Sequence, residues 1–445
     1  MKKTVTRRDF VSTGAAVGVG FWAAGGVSPK ISLAANETIN FASIGVGGKG
    51  SSDSEDCAKH GNMVAICDID DDSLAKASSK PKFEKAEKFN DFRKMFDKLG
   101  KSIDAVTVST PDHCHAVASA MAMNLGKHCF CQKPLTKTIY EARRLGELAK
   151  EKKVATQMGN QGTAEAGVRR AAAMIQAGVI GQVKEVHVWT NRPVWPQGEG
   201  RPTDTPPVPS NIHWEEFIGP AQMRPYNAAY HPFKWRGWWA FGTGALGDMA
   251  CHTFNMPFMA LDLRNPTSMQ ATTSGHNGET FPKWSQITFD FPANDKRPGL
   301  KFYWYDGGKK ASEAFFKGAT MKRADSGCLV VGEKGIIHSP DDYGARFEIL
   351  GGPKPIEVEY KKSPGHFEEW VAAIKGGPAA RSNFTEYSGP LTETILLGNL
   401  AVWVANKAEE PGLKIEWDAA ALAAKNGPAE IKQFVKSEYR AGYSL

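Results

Sequence analysis

The sequence predicts an α/β protein in two unlike parts. Short apolar runs alternate with helical stretches through the first third of the chain, a glycine-rich turn follows the first of those runs, and strand-like segments without intervening helices dominate later. The first pattern implies a doubly wound parallel sheet, the last a large, mostly antiparallel one. At 445 residues the chain is long enough for two such cores.

Residues 39–44 (INFASI) form the first apolar run and lead into Gly45-Val46-Gly47-Gly48-Lys49-Gly50, with Ser51-Ser52-Asp53 opening a helix. Gly45, Gly47 and Gly50 fit G-x-G-x-x-G, whose glycines allow a tight turn, a close approach of pyrophosphate to backbone, and contact between helix and strand. Taken alone the triplet also suits a flexible loop. Its context is more specific: residues 63–67 read as a second strand ending at Asp68, about 20 residues after the glycines. A carboxylate there accepts bonds from ribose hydroxyls and repels a 2′-phosphate, which favours NAD over NADP. Asp70 competes for the same role. A third strand at 104–108 precedes Ser109-Thr110-Pro111, and a helix is expected over 115–125. The next strand ends at Gln132-Lys133-Pro134, at the sheet edge where ligands bind. A solvated loop lysine is the ordinary alternative for Lys133.

Ahead of this part, Thr6-Arg7-Arg8-Asp9-Phe10-Val11 sets paired arginines before an apolar, glycine-studded run over residues 11–27, and Ser32-Leu33-Ala34 offers small residues to a signal peptidase. The run is shorter than the roughly 20 residues of a spanning helix. Residues 1–35 therefore read as a cleaved twin-arginine leader rather than an anchor, with the twin-arginine translocase as partner and a periplasmic or otherwise extracytoplasmic destination. The leader holds +4 of the formal +7, and the remaining +3 does not call for a nucleic-acid partner. The seven cysteines form no CxxC pair, and Asp112-His113-Cys114-His115 with His128-Cys129-Phe130-Cys131 matches no common zinc spacing, so no metal site is expected.

In the second part a strand at 154–158 leads into Gly159-Asn160-Gln161-Gly162 and a helix near 164–177. Residues 183–189, 287–291, 300–305, 328–332 and 335–339 read as strands, in a sheet whose open face suits a homo-oligomer. The Pro-rich stretch 193–209 is expected as an ordered loop or site rim. YHPFKWRGWW (230–239) gathers three tryptophans, which suit either a core or a sugar platform. Asp248 and His252 stand four apart and share a helix face. One reading is a carboxylate orienting a general-base imidazole; the other is a capping aspartate and a structural histidine. Residues 366–375 and 391–407 read as amphipathic helices packing back onto the first part.

Thr110-Pro111-Asp112 with His115, the Gln132-Lys133-Pro134 loop, and the run Gly244-Ala245-Leu246-Gly247-Asp248-Met249-Ala250-Cys251-His252 together resemble the Gfo/Idh/MocA oxidoreductase family, from about residue 38 to the C-terminal region. The resemblance implies an N-terminal NAD-binding Rossmann domain, placed at 36–160, and a C-terminal α/β domain at 161–445. It implies Lys133, His252 and Asp248 as the catalytic set. Gly45, Gly47, Gly48, Gly50, Asp68, Ser109, Thr110, Pro111, His115, Gln132 and Lys133 would then face the cofactor, and Asn160, Trp235, Arg236, Asp248 and His252 a sugar. Two departures stand out. The family's usual loop is Glu-Lys-Pro, and Asn255 stands where many relatives carry another carboxylate.

The function expected is oxidation of a sugar or glycoside hydroxyl by an NAD(P)-dependent enzyme. The imidazole takes the proton and the ammonium steadies the alkoxide. An exported enzyme has no free NAD pool, so the nicotinamide is expected to be tightly held and restored within the cycle. Two alternatives stay open: a redox-neutral glycoside hydrolase that oxidises, eliminates and re-reduces, and a catalytically silent sugar-binding protein.

Overall fold

The computed structural model describes residues 38–445, so the expected leader lies outside the described residues. β1 (Ile39–Ile44), β2 (Gly61–Cys67), β3 (Glu87–Phe89), β4 (Ala105–Val108), β5 (His128–Cys131) and β6 (Thr156–Met158) form a parallel sheet in the order β3-β2-β1-β4-β5-β6. Every residue of β4 and β5 is buried, as expected where helices cover both faces of a parallel sheet. Chain direction across the sheet reverses between β1 and β4, which opens a crevice at their carboxyl ends.

The second sheet contains β7 (Val183–Trp189), β8 (Ser268–Thr273), β9 (Ser285–Phe291), β10 (Leu300–Tyr305), β11 (Gly327–Gly332), β12 (Ile336–Ser339), β13 (Glu348–Leu350), β14 (Ile415–Asp418) and β15 (Ala423–Ala424). Their order is β13-β12-β11-β7-β10-β9-β8-β14-β15, and only the β7–β10 pair is parallel. The α/β class and the mostly antiparallel second sheet are as the sequence predicts. β8, β13, β14 and β15 escape a sequence reading because they are very short or, like SMQATT in β8, rich in polar residues.

One expected element differs in kind. The helix Gly389–Val404 is not amphipathic: it is buried on nearly all sides. It runs between the helix Ile139–Lys152 of the first part and β8 of the second, where burial on every side is stable because Glu393 and Asn399 find partners in Arg143 and the Thr243 carbonyl. A Cβ at Gly398 would meet Leu246 at 2.6 Å and Phe289 at 2.9 Å, so glycine there sets how closely this helix seats. The helix His366–Ile374 does have a single buried face. Its Phe367 stacks on Phe130 at 4.5 Å, its Trp370 lies against Phe41 at 5.8 Å, and the Trp370 indole donates to the Ala155 carbonyl at 3.1 Å. A segment late in sequence thus covers a face of the first sheet.

This packing buries histidines. Burial pushes the His113 ring down to about 3 and the His366 ring down to about 4, each beside a backbone carbonyl, of Phe217 and Met158 respectively. Below the ordinary histidine value of 6.5 the unfolded chain therefore binds protons that the folded chain refuses, and stability falls as pH falls. From neutrality to about pH 5.5 these two rings are expected to remove about 2.5 kcal/mol, read as the change in urea-unfolding free energy. Replacing both by glutamine is expected to flatten that dependence.

Candidate active site

The glycine turn follows β1. A Cβ on Gly45 would lie 2.5 Å from the Ser109 carbonyl oxygen, and one on Gly50 would lie 2.1 Å from that of Gly45. These two glycines let turn, helix and β4 close on one another. Gly48 differs: its φ is +49° and nothing lies within 4 Å of its Cβ position, so it borders open space. The helix Gly48–Cys57 begins there without a side-chain cap and without an acidic residue in its first turn. The helices Asp71–Ser78, Phe92–Leu99 and Ile139–Lys152 are capped by Asp70, Asp91 and Thr138. An uncapped N-terminus at a glycine turn fits a pyrophosphate.

Asp68 closes β2. Its Oδ2 accepts from the amides of Val46 at 2.8 Å and Gly47 at 3.1 Å, and its Oδ1 from Asp70 at 3.1 Å. Three of a carboxylate's roughly four acceptor sites are engaged, which leaves one for a ribose hydroxyl. Asp68 therefore also braces the glycine turn. Asp70, its competitor, caps the following helix through Asp72 and accepts from Asn211.

At the ends of β4 and β5 the sequence-predicted residues divide. Ser109 Oγ donates to Asp53 Oδ2 at 2.8 Å, and Gln132 Nε2 donates to the same oxygen at 2.8 Å. Lys49 of the glycine turn reaches Asp53 Oδ1 at 2.7 Å. Asp53 is fully buried and ties turn, β4 and β5 together, a role not foreseen. Gln132 Oε1 also accepts from the Lys133 amide at 3.2 Å, so Gln132 sets the path of the next residue. The neutral amide at 132 is explained by this neighbour: a glutamate would face a buried carboxylate. Gln132→Glu is expected to cost about 2–4 kcal/mol at neutral pH, with part recovered on acidification, as measured by denaturant titration.

His115, expected at the cofactor, has no polar atom to spare. Its Nδ1 lies 2.7 Å from the Pro134 carbonyl and its Nε2 2.7 Å from that of Thr110. It fastens the Ser109-Thr110-Pro111 turn to the Lys133 loop, because the helix Asp112–Asn124 that carries it starts between them. Asn160 likewise turns inward: it is buried, its Oδ1 accepts from Ser382 Oγ, and its Nδ2 has no partner. Asn255 is a structural residue, bonded to Thr163 and to the Tyr387 hydroxyl.

The second part meets this edge through the helix Gly244–Thr253, buried along its whole length. Its glycines are steric necessities: a Cβ on Gly244 would strike the Phe281 ring at 2.7 Å, and one on Gly247 the Thr243 hydroxyl at 2.0 Å. Lys133 Nζ donates to Asp248 Oδ1 at 2.7 Å and to the Asp248 carbonyl at 3.0 Å. Arg236 Nε lies 3.2 Å from Asp248 Oδ1, while its Nη1 grips both Asp112 oxygens at 2.8 and 3.0 Å. The Thr243 hydroxyl donates to Asp112 Oδ2 at 2.6 Å. Asp112, first residue of its helix and fully buried, thus joins the two parts. Burial alone pushes the Asp248 carboxyl up, but Lys133 and Arg236 outweigh it and hold the group well below the carboxylate range.

The His252 ring makes no hydrogen bond among the described residues; its Nδ1 is buried and unpartnered. Burial first, then the Lys133 charge, pushes its ring well below 6.5, with Asp248 opposing. The ring is a neutral base whose Nε2 is the nitrogen left for a ligand. Here the expected arrangement is corrected. Asp248 does not orient the imidazole; Lys133, arriving from the other part, takes the carboxylate first. The Tyr343 ring meets His252 edge-on at 4.9 Å, and Arg192 Nε approaches Asp248 Oδ2 at 3.8 Å. Arg192 immediately precedes the Pro-rich stretch 193–209 expected as a rim. Of the three tryptophans, Trp238 and Trp239 are core, and Trp235 lies under the Arg236 guanidinium at 4.3 Å. Among the described residues no group of three or more His, Cys, Asp or Glu is disposed to hold a metal ion.

Comparison with known proteins gives the family and the fold. Residues 39–160 match the family model described as an oxidoreductase family NAD-binding Rossmann fold, and residues 166–322 the C-terminal α/β domain of the same family. Inositol 2-dehydrogenase of Salmonella typhimurium is 30% identical over 126 residues, 28% of this chain and 37% of that protein. Levoglucosan dehydrogenase of Pseudarthrobacter phenanthrenivorans is 26% identical over 191 residues, 43% of this chain and 40% of that protein. These matches span well under half of the curated relatives' length. The WlbA dehydrogenase of Bordetella pertussis, solved with NADH and UDP-GlcNAcA, shares the fold with a TM-score of 0.60 at 16% identity, covering 86% of this chain and 99% of that one.

Proposed function

Since the chain belongs to the Gfo/Idh/MocA oxidoreductase family and residues 39–160 are its NAD-binding Rossmann domain, we propose that it oxidises a hydroxyl of a sugar or glycoside, as a dehydrogenase. The observation that carries the reading is the meeting of Lys133 and Asp248 across the two parts, beside a buried His252 ring with no hydrogen-bond partner at Nδ1. The sugar dehydrogenases among its relatives support the substrate class.

NAD, when bound, supplies the hydride acceptor. The uncapped start of the helix Gly48–Cys57, Gly48 and the remaining acceptor site of Asp68 are the features that would hold it. Lys133 has three N–H groups and spends two on Asp248, which leaves one for the substrate oxygen. Asp248 fixes that ammonium in place, with Arg236 behind it. His252 Nε2 accepts the hydroxyl proton, while the Lys133 charge steadies the alkoxide as it forms.

The paired arginines near the N-terminus support export by the twin-arginine route, which would require the cofactor to travel inside the folded protein. The open second sheet supports a homo-oligomer. The test is the ultraviolet spectrum of protein purified without added nucleotide, before and after sugars are added. A rise in the reduced-nicotinamide band supports the dehydrogenase. Release of aglycone from aryl glycosides with no lasting spectral change would replace it with redox-neutral bond cleavage. A bound sugar with neither signal would leave a silent binding protein.

A further inference from the structure

One guanidinium beside Asp248 has no hydrogen-bonded acid. Three cations converge there, Lys133, Arg192 and Arg236, against two carboxylates, Asp248 and Asp112. Lys133 is matched by Asp248 and Arg236 by the two oxygens of Asp112. Arg192 is the remainder. Its Nε stands 3.8 Å from Asp248 Oδ2, too far for a hydrogen bond, and its Nη1 donates to the neutral Asn191 side chain. Among the described residues Asp248 is its nearest acid; Asp342, beside Tyr343 and with a buried Oδ1 that has no hydrogen-bond partner, stands beyond ion-pair distance of it. The Arg192 side chain keeps 25% of its surface exposed, more than Lys133 at 16% or Asp248 at 10%.

Resting on the reading of this seam as a sugar site, we propose that Arg192 is a specificity-determining residue that grips a carboxylate of the substrate, which is therefore an acidic sugar such as a uronate or its glycoside. A guanidinium presents paired N–H groups that match a planar carboxylate, and partial burial strengthens that bond. A single guanidinium without a bonded acid suits a carboxylate at −1 better than a phosphate near −2.

The test is equilibrium binding to the NADH-loaded protein, followed by quenching of nicotinamide fluorescence. The ligands are D-glucuronate, D-galacturonate, D-glucose, D-galactose and D-glucose 6-phosphate. At least one uronate is expected to bind about 10- to 100-fold tighter than its neutral counterpart. In Arg192→Leu that ratio is expected to collapse to about 1, with NADH affinity and thermal midpoint reported alongside to establish that the variant is folded. Neutral sugars binding as tightly as uronates, tightest binding by the phosphate, absence of uronate binding, or an equal loss for all ligands in Arg192→Leu would each overturn the assignment. Uronate selectivity that disappears in Arg192→Leu, without reduction of added NAD, would uphold Arg192 while rejecting the dehydrogenase.

Discussion

Lys133→Met is expected to lower kcat by about a thousandfold, close to 4 kcal/mol of transition-state stabilisation. Lys133 has one N–H beyond those given to Asp248, and it is the cation positioned for an oxygen that becomes negative during the reaction. In a site largely closed to water, such a donor matters more to the alkoxide than to the neutral alcohol, so the loss falls on kcat rather than on KM. Methionine keeps the stem's bulk without the charge. Asp248 is not left bare, because Arg236 Nε remains at 3.2 Å. The fold should therefore survive, and NADH affinity measured by fluorescence should change less than about threefold, since Lys133 holds none of the features assigned to the pyrophosphate or ribose. A fall in kcat smaller than tenfold would remove Lys133 from the chemistry.

His252→Asn is expected to lower kcat/KM by about 10²- to 10⁴-fold and to remove the acid limb of the pH profile. The sign follows from the shift. Burial and the Lys133 charge disfavour the imidazolium, so the proton-free ring persists below the ordinary value of 6.5. Wild-type kcat/KM should stay level from neutrality to below pH 6.5, then fall as the ring at last protonates. A limb centred at or above 6.5 would show that another group titrates. Asparagine retains a polar side chain of smaller size but cannot accept a proton. The variant that loses rate yet retains an unchanged acid limb would reduce His252 to a structural ring packed on Tyr343.

Local features were the ones most open to a sequence reading. The glycine turn and the strand-helix alternation depend on neighbours within a few residues, and Gly45, Gly50 and Asp68 stand where spacing alone puts them. Lys133 and Asp248 are 115 residues apart, and their meeting came from family likeness rather than pattern. The four-residue spacing of Asp248 and His252 correctly placed them on one helix. It carried no information about a lysine arriving from another element to claim the carboxylate. Asp53, Asp112 and Arg192 were passed over for the same reason, since each acquires its role from partners 56 to 131 positions away. For Asp53 a clue existed: a glutamine in place of a familiar glutamate asks what neighbour forbids the charge. The helix Gly389–Val404 carries Thr, Glu and Asn among its apolar residues, and only the fold shows that Thr392, Glu393 and Asn399 face other parts of the same protein rather than water.

The helix His366–Ile374 has a consequence for biosynthesis. It shields Phe41 and Phe130, yet His366 follows its partner Met158 by 208 residues. At about 5–20 residues per second, a ribosome needs roughly 10 to 40 s to bridge that interval. Throughout it the nascent first sheet stands with one aromatic flank bare, a surface that invites chaperones or self-association. A fragment ending near residue 160 would keep that flank bare permanently, so the cofactor-binding half is not a free-standing module but one the tail of the chain must complete.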